Sequence, residues 1–321
     1  MPDVSDFVAQ SVHDRGAWSR IGLAIGLSIV TGAGVALIHI LRDVDMSRVF
    51  GAVLATPASV IVPAACFVAA SYATLTLYDL LSLRVLGIDR VPYRVAALAS
   101  FCSYSIGHNL GATLLTAGAV RWRIYAPWSL SVADVAKIAF LTSLTFWLGN
   151  LTVLGCGMIV LPEAAGALDH LPPFANRLIG ILCLLAIAGY LAWMWPQRRR
   201  IGGGAWGVTL PGPRLTLAQI AIGVLDLSAG GVALFVLLTA HSDVDFLPVL
   251  VIYAAATFIG VLSLAPGSLG VFEAAVLIAM PQLAKDDLLA SLLIFRCLYF
   301  VVPMILAIAV MGLRELRSAV R

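Results

Sequence analysis

Charged and strongly polar side chains are rare in the apolar runs of this 321-residue chain, and those that occur there are the first candidates for chemistry. On membrane-insertion scales, a charged residue at the centre of a span costs about 2.5–3.5 kcal/mol. Such residues are therefore costly unless they meet each other, water or a ligand. The set comprises Asp79, His108, Asn109, Asn150, Asp226, Glu273 and Arg296, with Arg121 and Arg123 at the end of one run.

A break in the backbone precedes one of these acids. Pro266, Gly267 and Gly270 interrupt an apolar run, and Glu273 follows three residues later. Broken backbone at membrane depth survives only where it is packed in protein or lines a polar cavity. If a half-helix begins near Gly270, Glu273 lies in its first turn, where the positive end of the helix dipole stabilises a carboxylate. Glu273 is therefore either a capping acid or an acid that lines a cavity.

The other deep charges leave alternatives open. Arg296 lies in the following apolar run, where pairing with Glu273 or Asp226 and binding of a phosphate are equally compatible with its position. Asp226 falls close to mid-bilayer, which favours a functional role. Asp79 is nearer a span end, and its position is equally compatible with solvation at the membrane interface and with a functional role.

A second group of polar residues surrounds another break in an apolar run, at Gly107 and Gly111. Arg121 and Arg123 flank Trp122, which is typical of a cytoplasmic membrane interface. Alternatively, Arg121 faces a cavity and binds an anionic head group, since guanidinium suits bidentate phosphate bonding. His108 and Asn109 fall at the break itself, where they either donate to a ligand or satisfy the exposed backbone.

The elements that must position these residues are apolar helices. The chain is 61% hydrophobic and only 12% charged, which is typical of a membrane protein. Several apolar runs reach the roughly 20 residues needed to span a bilayer. Six are read as single spans, and two are long and carry Gly or Pro near the middle. The runs are 21–41, 58–83, 93–120 (broken), 131–160, 176–195, 216–240, 246–280 (broken) and 288–312.

The positive-inside rule predicts how the two broken runs cross. If each is a re-entrant hairpin that returns to its own side, most of the 20 basic residues face the cytoplasm, together with both termini. Span, span, hairpin and span then occur twice with opposite orientation, an inverted repeat of the kind many transporters use. We therefore predict an all-α polytopic helical membrane protein with about six full spans plus two re-entrant helical hairpins. The predicted units are a cytoplasmic or interfacial tail, 1–20, and one transmembrane domain, 21–315, with halves at about 21–160 and 176–312.

Several chemistries have no support in the sequence. Neither Lys137 nor Lys285 belongs to a Walker A loop, and the five histidines are dispersed without a metal-binding spacing. No GxSxG motif occurs. The basic residues lie in short loops, which does not favour nucleic acid. We expect no enzymatic activity, no cofactor and no metal site.

Two motifs, one in each broken run, carry a family resemblance. They resemble the membrane region of the bacterial lysylphosphatidylglycerol synthase/flippases, the multiple peptide resistance factor family, over nearly all of 20–315. The resemblance implies a flippase fold, with Arg121 and Glu273 as groove residues. Ser268 departs from a family glycine, and we expect a stand-alone flippase-like member that lacks the soluble aminoacyl-transferase domain. The motifs are Ser103-Tyr104-Ser105-Ile106 with Asn109 and Gly111, then Ala117-Gly118-x-x-Arg121-x-Arg123-x-Tyr125, and Pro266-Gly267-Ser268-Leu269-Gly270-x-x-Glu273.

The leading hypothesis is a transporter that moves a phospholipid, such as aminoacylated phosphatidylglycerol, between leaflets of the bacterial inner membrane. Arg121, with Arg296, would hold the phosphate, and Glu273 and Asp226 would meet a cationic amine or relay protons. The alternatives are a secondary transporter of a small solute or ion, and a non-transporting membrane partner of a lipid-synthesis enzyme. A homodimer follows from the resemblance alone.

Overall fold

The computed structural model describes residues 45–110, 113–195, 199–204 and 207–319. The predicted N-terminal tail, 1–20, and the first predicted span, 21–41, lie outside these residues. Within the described ranges the chain forms twelve α-helices and one two-stranded antiparallel ribbon. The helices are α1 Met46–Ala55, α2 Ala58–Val85, α3 Tyr93–Leu110, α4 Thr113–Tyr125, α5 Val132–Val160, α6 Pro162–Asp169, α7 Pro173–Met194, α8 Pro213–Leu238, α9 Phe246–Leu262, α10 Val271–Ala279, α11 Lys285–Arg296 and α12 Val302–Ala319; the strands are β1 Arg200–Ile201 and β2 Val208–Thr209.

Five stretches of the described chain are long and apolar enough to cross a membrane. They are α2, α5, α7, α8 and the run Lys285–Arg314, which joins α11 to α12 through a π turn, Cys297–Val301. Each matches a predicted span to within a few residues at its start. The predicted all-α polytopic membrane protein is therefore confirmed, with the first of the six spans outside the described residues.

The helix starts follow from the local sequence. Ser131 accepts from the backbone N–H of Asp134, and the Asp134 carboxylate accepts from the backbone N–H of Ser131. This reciprocal capping box satisfies two amide groups that the first turn of α5 leaves unpaired. Helices α7 and α8 each begin with a proline, whose missing N–H costs nothing at that position.

Both broken runs fold as helical hairpins. In the first, α3 and α4 pack so closely that a Cβ on Gly107 would lie 2.8 Å from Cβ of Ala117. In the second, α9 and α10 are joined by a 3₁₀ turn at Pro266–Ser268, and Gly267 and Gly270 have φ angles of +59° and +78°. Such left-handed backbone is readily available to glycine, and it reverses the chain between the two short helices.

The same order of elements occurs in both halves of the described chain: a long helix, a hairpin and another long helix. Helices α2 and α8, which precede the two hairpins, pack against each other at the centre. Helix α8 also packs against α5, where Gly149 and Gly223 bring the two backbones together. The two halves therefore share one interior instead of forming separate bodies.

Three short elements were missed by the sequence reading. Helix α1 packs against α11, and helix α6 packs against α5, α7, α9 and α10. Their lengths of 10 and 8 residues are too short for the span-length criterion. The basic linker between the halves contains the β1–β2 ribbon, in which Arg200 pairs with Thr209 and Ile201 with Val208. Two-residue strands give no periodic signal that a sequence reading could detect.

Ser268 provides a testable measure of strain in the second hairpin. Its φ angle is +52°, a left-handed conformation that costs a non-glycine residue about 1–2 kcal/mol. We expect Ser268→Gly to raise the free energy of unfolding by about 1 kcal/mol, measured by thermal unfolding in detergent. The neighbouring variant Gly267→Ala should act in the opposite direction, because it adds a Cβ at a φ of +59°. A less stable Ser268→Gly variant would show that the serine side chain stabilises the turn.

Candidate functional site

The first of two ion pairs joins Asp79 of α2 to Arg121 of α4, and it is buried. Nε of Arg121 lies 3.2 Å and 3.1 Å from the two carboxylate oxygens of Asp79, and Nη2 lies 3.0 Å from Oδ1. The Tyr125 hydroxyl donates to Oδ2 over 2.8 Å, and the guanidinium lies 5.2 Å from the ring centroid of Tyr104. Asp79 is fully buried and Arg121 nearly so. This bidentate pair ties the returning arm of the first hairpin to the central helix α2.

The second ion pair joins Glu273 of α10 to Arg296 at the end of α11. Nε of Arg296 donates to Oε1 of Glu273 over 2.5 Å, and Nη2 contacts the same oxygen. Nη1 donates to the Gly267 carbonyl over 2.9 Å, and the guanidinium lies 4.9 Å from the ring centroid of Phe300. The other carboxylate oxygen of Glu273 accepts from the Gly270 backbone N–H over 2.8 Å. Glu273 is thus both a capping acid and the partner of Arg296, so pairing is the alternative that the structure adopts for Arg296.

The two ion pairs differ in exposure. The side chains of Arg121 and Asp79 are 4% and 0% exposed, whereas those of Arg296 and Glu273 are 14% and 15% exposed. Arg296 also directly precedes the π turn at Cys297–Val301, and π turns within helices occur frequently at functional sites. The second pair is therefore the more accessible of the two.

The tips of the two hairpins lie against each other. The end of α3 packs on the 3₁₀ turn of the second hairpin, and a Cβ on Gly267 would lie 3.5 Å from the His108 carbonyl oxygen. The His108 ring stacks edge-on against Tyr104, with centroids 5.2 Å apart. Asn109 Nδ2 donates to the carbonyls of Ser105, over 2.7 Å, and Phe300, over 3.1 Å. Of the two roles predicted for Asn109, this geometry corresponds to satisfying backbone, and it links the first hairpin to the π turn.

Asp226 belongs to α8 and faces α2. Arg121 and Arg296 pair with the other two acids instead. Asp226 accepts from Ser71 Oγ over 2.5 Å and from the Tyr78 hydroxyl over 3.0 Å. Ser71 Oγ is in turn 3.0 Å from the Tyr299 hydroxyl. The predicted mid-bilayer acid is thus buried among hydroxyl groups.

Arg123 lies in a different environment from Arg121, although only one residue separates them. Its side chain is exposed and lines a small cleft with Arg314 and apolar residues of α3, α4 and α12. Asn150, the remaining polar residue of the deep set, donates to the Ala254 carbonyl over 3.3 Å. Within the described ranges, no group of three or more His, Cys, Asp or Glu side chains could hold a metal ion.

The sequence pattern drew attention to Tyr125 within a motif but not to the hydroxyl groups of Ser71 and Tyr78. Ser71 and Tyr78 both contact Asp226, while Tyr125 contacts Asp79. Ser71 and Tyr78 are seven residues apart, as are Tyr72 and Asp79, and residues seven apart lie on the same face of a helix. A search of α2 for polar residues at that spacing would have predicted a polar face on this largely apolar helix.

The fold and the two ion-paired hairpins define a multi-pass all-α membrane protein with a polar site at the meeting point of its halves. The chain belongs to the family of the uncharacterized protein slr0712 of Synechocystis sp., with which it is 33% identical over 247 residues, 77% of this chain and 76% of that protein. It is also 28% identical over 284 residues to the inner membrane protein YbhN of Escherichia coli, covering 85% of this chain and 86% of that protein. No family model matches the chain. The resemblance to the lysylphosphatidylglycerol synthase/flippases stays a prediction.

Proposed function

We propose that this chain moves a phospholipid or another polar lipid between the leaflets of the bacterial inner membrane, and that it is not an enzyme. The inner-membrane location is supported by the similarity of the chain to the inner membrane protein YbhN. Aminoacylated phosphatidylglycerol is the substrate that the motif resemblance suggests. We further propose that both termini face the cytoplasm, that the protein forms a homodimer, and that a separate enzyme synthesises the lipid.

The observation that carries the proposal is the partly exposed Glu273–Arg296 pair at the hairpin tips. Three leucines beside the tips turn outward: Leu110, Leu264 and Leu269 are 62%, 65% and 58% exposed. In a membrane, such side chains meet lipid tails. A head group that reaches the ion pair would therefore leave its acyl chains against apolar surface, which is the arrangement a lipid carrier needs.

The chemistry of the pair suits a zwitterionic or anionic head group. Guanidinium binds phosphate and carboxylate with the same bidentate geometry, so a lipid phosphate can replace Glu273 at Arg296. The displaced carboxylate is then available to a cationic amine on the same head group. The Asp79–Arg121 pair, being fully enclosed, would hold the first hairpin in place while the second pair exchanges partners.

The test is a transport assay with the full chain in proteoliposomes. Fluorescent phosphatidylglycerol that moves between leaflets is followed with a membrane-impermeant quencher. We expect Glu273→Gln and Arg296→Gln to slow this movement about tenfold or more, equivalent to about 1.4 kcal/mol of barrier. Matched controls are Glu163→Gln and Arg84→Gln, which change exposed residues of the same types and should leave the rate unchanged.

Other outcomes would favour the alternative functions. Lipid movement that is equal in all four variants would contradict a role for the ion pair. Uptake of a small soluble solute without lipid movement would indicate a secondary transporter. Unaltered lipid distribution together with retention of a lipid-synthesis enzyme would indicate a non-transporting partner.

A further inference from the structure

Asp226 differs from the other two deep acids in the kind of partner it has. Asp79 and Glu273 are each neutralised by an arginine. Asp226 is only 6% exposed, and in the described part of the chain its hydrogen-bond partners are the hydroxyls of Ser71 and Tyr78. Within the described residues, Asp226 is therefore a buried carboxylate without a cation, unlike Asp79 and Glu273.

Within the described ranges, the titratable groups that interact electrostatically with Asp226 are tyrosines. They come from four elements packed around it, so the environment is not a property of α8 alone. A tyrosine hydroxyl is neutral at physiological pH and can donate or accept a hydrogen bond. These tyrosines, the neighbours that the described part of the chain supplies, bring no fixed positive charge to the carboxylate. The tyrosines are Tyr72 and Tyr78 of α2, Tyr104 of α3, Tyr253 of α9 and Tyr299 of the π turn.

An ionised carboxylate in such a site is unfavourable. Removing an isolated charge from water is costly enough that a buried acid commonly takes up a proton instead. Hydrogen bonds from two hydroxyls offset only part of that cost. Asp226 should therefore hold a proton while the site is dry and release it when water enters.

The proton state of Asp226 has a short route to the Glu273–Arg296 pair. Ser71 Oγ bridges Asp226 and the Tyr299 hydroxyl, with distances of 2.5 Å and 3.0 Å. Tyr299 belongs to the π turn that directly follows Arg296, and the Phe300 carbonyl of that turn accepts from Asn109 of the first hairpin. One five-residue turn thus connects Asp226, the partly exposed Glu273–Arg296 pair and the opposite hairpin tip.

We propose that Asp226 is a proton-binding site through which a transmembrane proton gradient drives the lipid movement. The inference rests on the proposed function. Proton uptake at Asp226 would favour the conformation described above, in which Glu273 pairs with Arg296. Proton release to water on the other side would favour a second conformation, in which the π turn and Arg296 have moved. The proton is taken from water on one side and returned to water on the other.

The experiment uses two readouts on the full chain in proteoliposomes. Infrared difference spectra during a pH titration report the C=O stretch of a protonated carboxylic acid. The quencher assay with fluorescent phosphatidylglycerol is repeated with and without an imposed pH difference of about one unit, which changes the ratio of protonated to ionised acid about tenfold. The variants are Asp226→Asn, the conservative Asp226→Glu, and the exposed control Asp89→Asn.

We expect the wild type and Asp89→Asn to show a buried carboxylic acid band that Asp226→Asn lacks. The imposed pH difference should change their transport rate by up to about tenfold, leave Asp226→Asn unaffected, and still act on Asp226→Glu. Asp226→Glu keeps a carboxyl group at this position, so it serves as the control for a folding defect. A response to the pH difference that is lost in Asp226→Asn and kept in Asp226→Glu is due to the carboxyl group.

Two results would overturn the proton site. One is an unchanged carboxylic acid band in Asp226→Asn, and the other is lipid movement that ignores the pH difference in the wild type. The second result leaves the proposed lipid transport intact. A wild-type protein that moves no lipid would instead overturn the proposed function together with the coupling, and the infrared band would then decide the proton site alone.

Discussion

Arg121→Gln is expected to lower the free energy of unfolding by about 3–5 kcal/mol, because it leaves the Asp79 carboxylate buried without its cation. Asp79 is 0% exposed and receives three contacts of 3.0–3.2 Å from Arg121. Among the described residues, the Tyr125 hydroxyl would be the donor that remains. The measurement is unfolding of the purified protein in detergent or lipid, by heat or denaturant, against the wild type.

The double variant Asp79→Asn/Arg121→Gln separates a lost pair from a lost charge. Removing both ionised groups avoids the uncompensated charge, so the double variant should recover much of the loss seen in either single variant. Arg84→Gln, which changes an exposed arginine near the end of α2, is the matched control and should change stability little. Additive losses in the double variant would show that the two side chains act independently.

Gly223→Ala is expected to lower the free energy of unfolding by about 1–3 kcal/mol, the usual cost of overpacking. A Cβ on Gly223 would lie 2.6 Å from the Thr145 carbonyl oxygen and 2.9 Å from Cα of Gly149. The atoms it meets belong to the backbone of α5, which cannot rotate out of the way. Helices α5 and α8 would have to separate, and this contact joins the two halves of the chain.

Gly189→Ala is the matched control for the glycine contact. Gly189 lies in α7, and a Cβ there would meet nothing within 4 Å. Alanine in a helix interior is favoured over glycine by roughly 0.5–1 kcal/mol, so this variant should be as stable as the wild type or more stable. Thermal unfolding of both variants under the same conditions makes the comparison. Equal stability of Gly223→Ala and wild type would show that the α5–α8 crossing adjusts freely.

We expect the two ion pairs, Asp79–Arg121 and Glu273–Arg296, to have different roles. The Asp79–Arg121 pair holds the first hairpin against α2. Disrupting this pair is expected to lower the free energy of unfolding of the protein by a large amount. The Glu273–Arg296 pair is more exposed and adjoins a π turn, so its disruption should affect transport more than stability. Comparing unfolding and transport across both sets of variants would therefore distinguish a structural pair from an exchanging one.

The sequence determined the helices and the breaks between them. Hydropathy depends on composition within a window, so α2, α5, α7, α8 and the final long helix could be predicted from their apolar residues. Pro266, Gly267 and Gly270 also marked the second hairpin, because no other residue types favour that backbone so strongly. The short helices α1 and α6 and the β1–β2 ribbon escaped prediction, since each is too short for a periodic signal.

Only the tertiary structure decided which charges meet. Arg121 and Asp79 are 42 residues apart, Arg296 and Glu273 are 23 apart, and Asp226 and Ser71 are 155 apart. Which side chains meet depends on the rotation of each helix and on where the helices cross, and neither quantity is encoded in local hydropathy. The sequence placed three acids and Arg296 at depth, with Arg121 at the end of a broken run. The packing of α2, α8 and the two hairpins paired two of the acids and left Asp226 among hydroxyls.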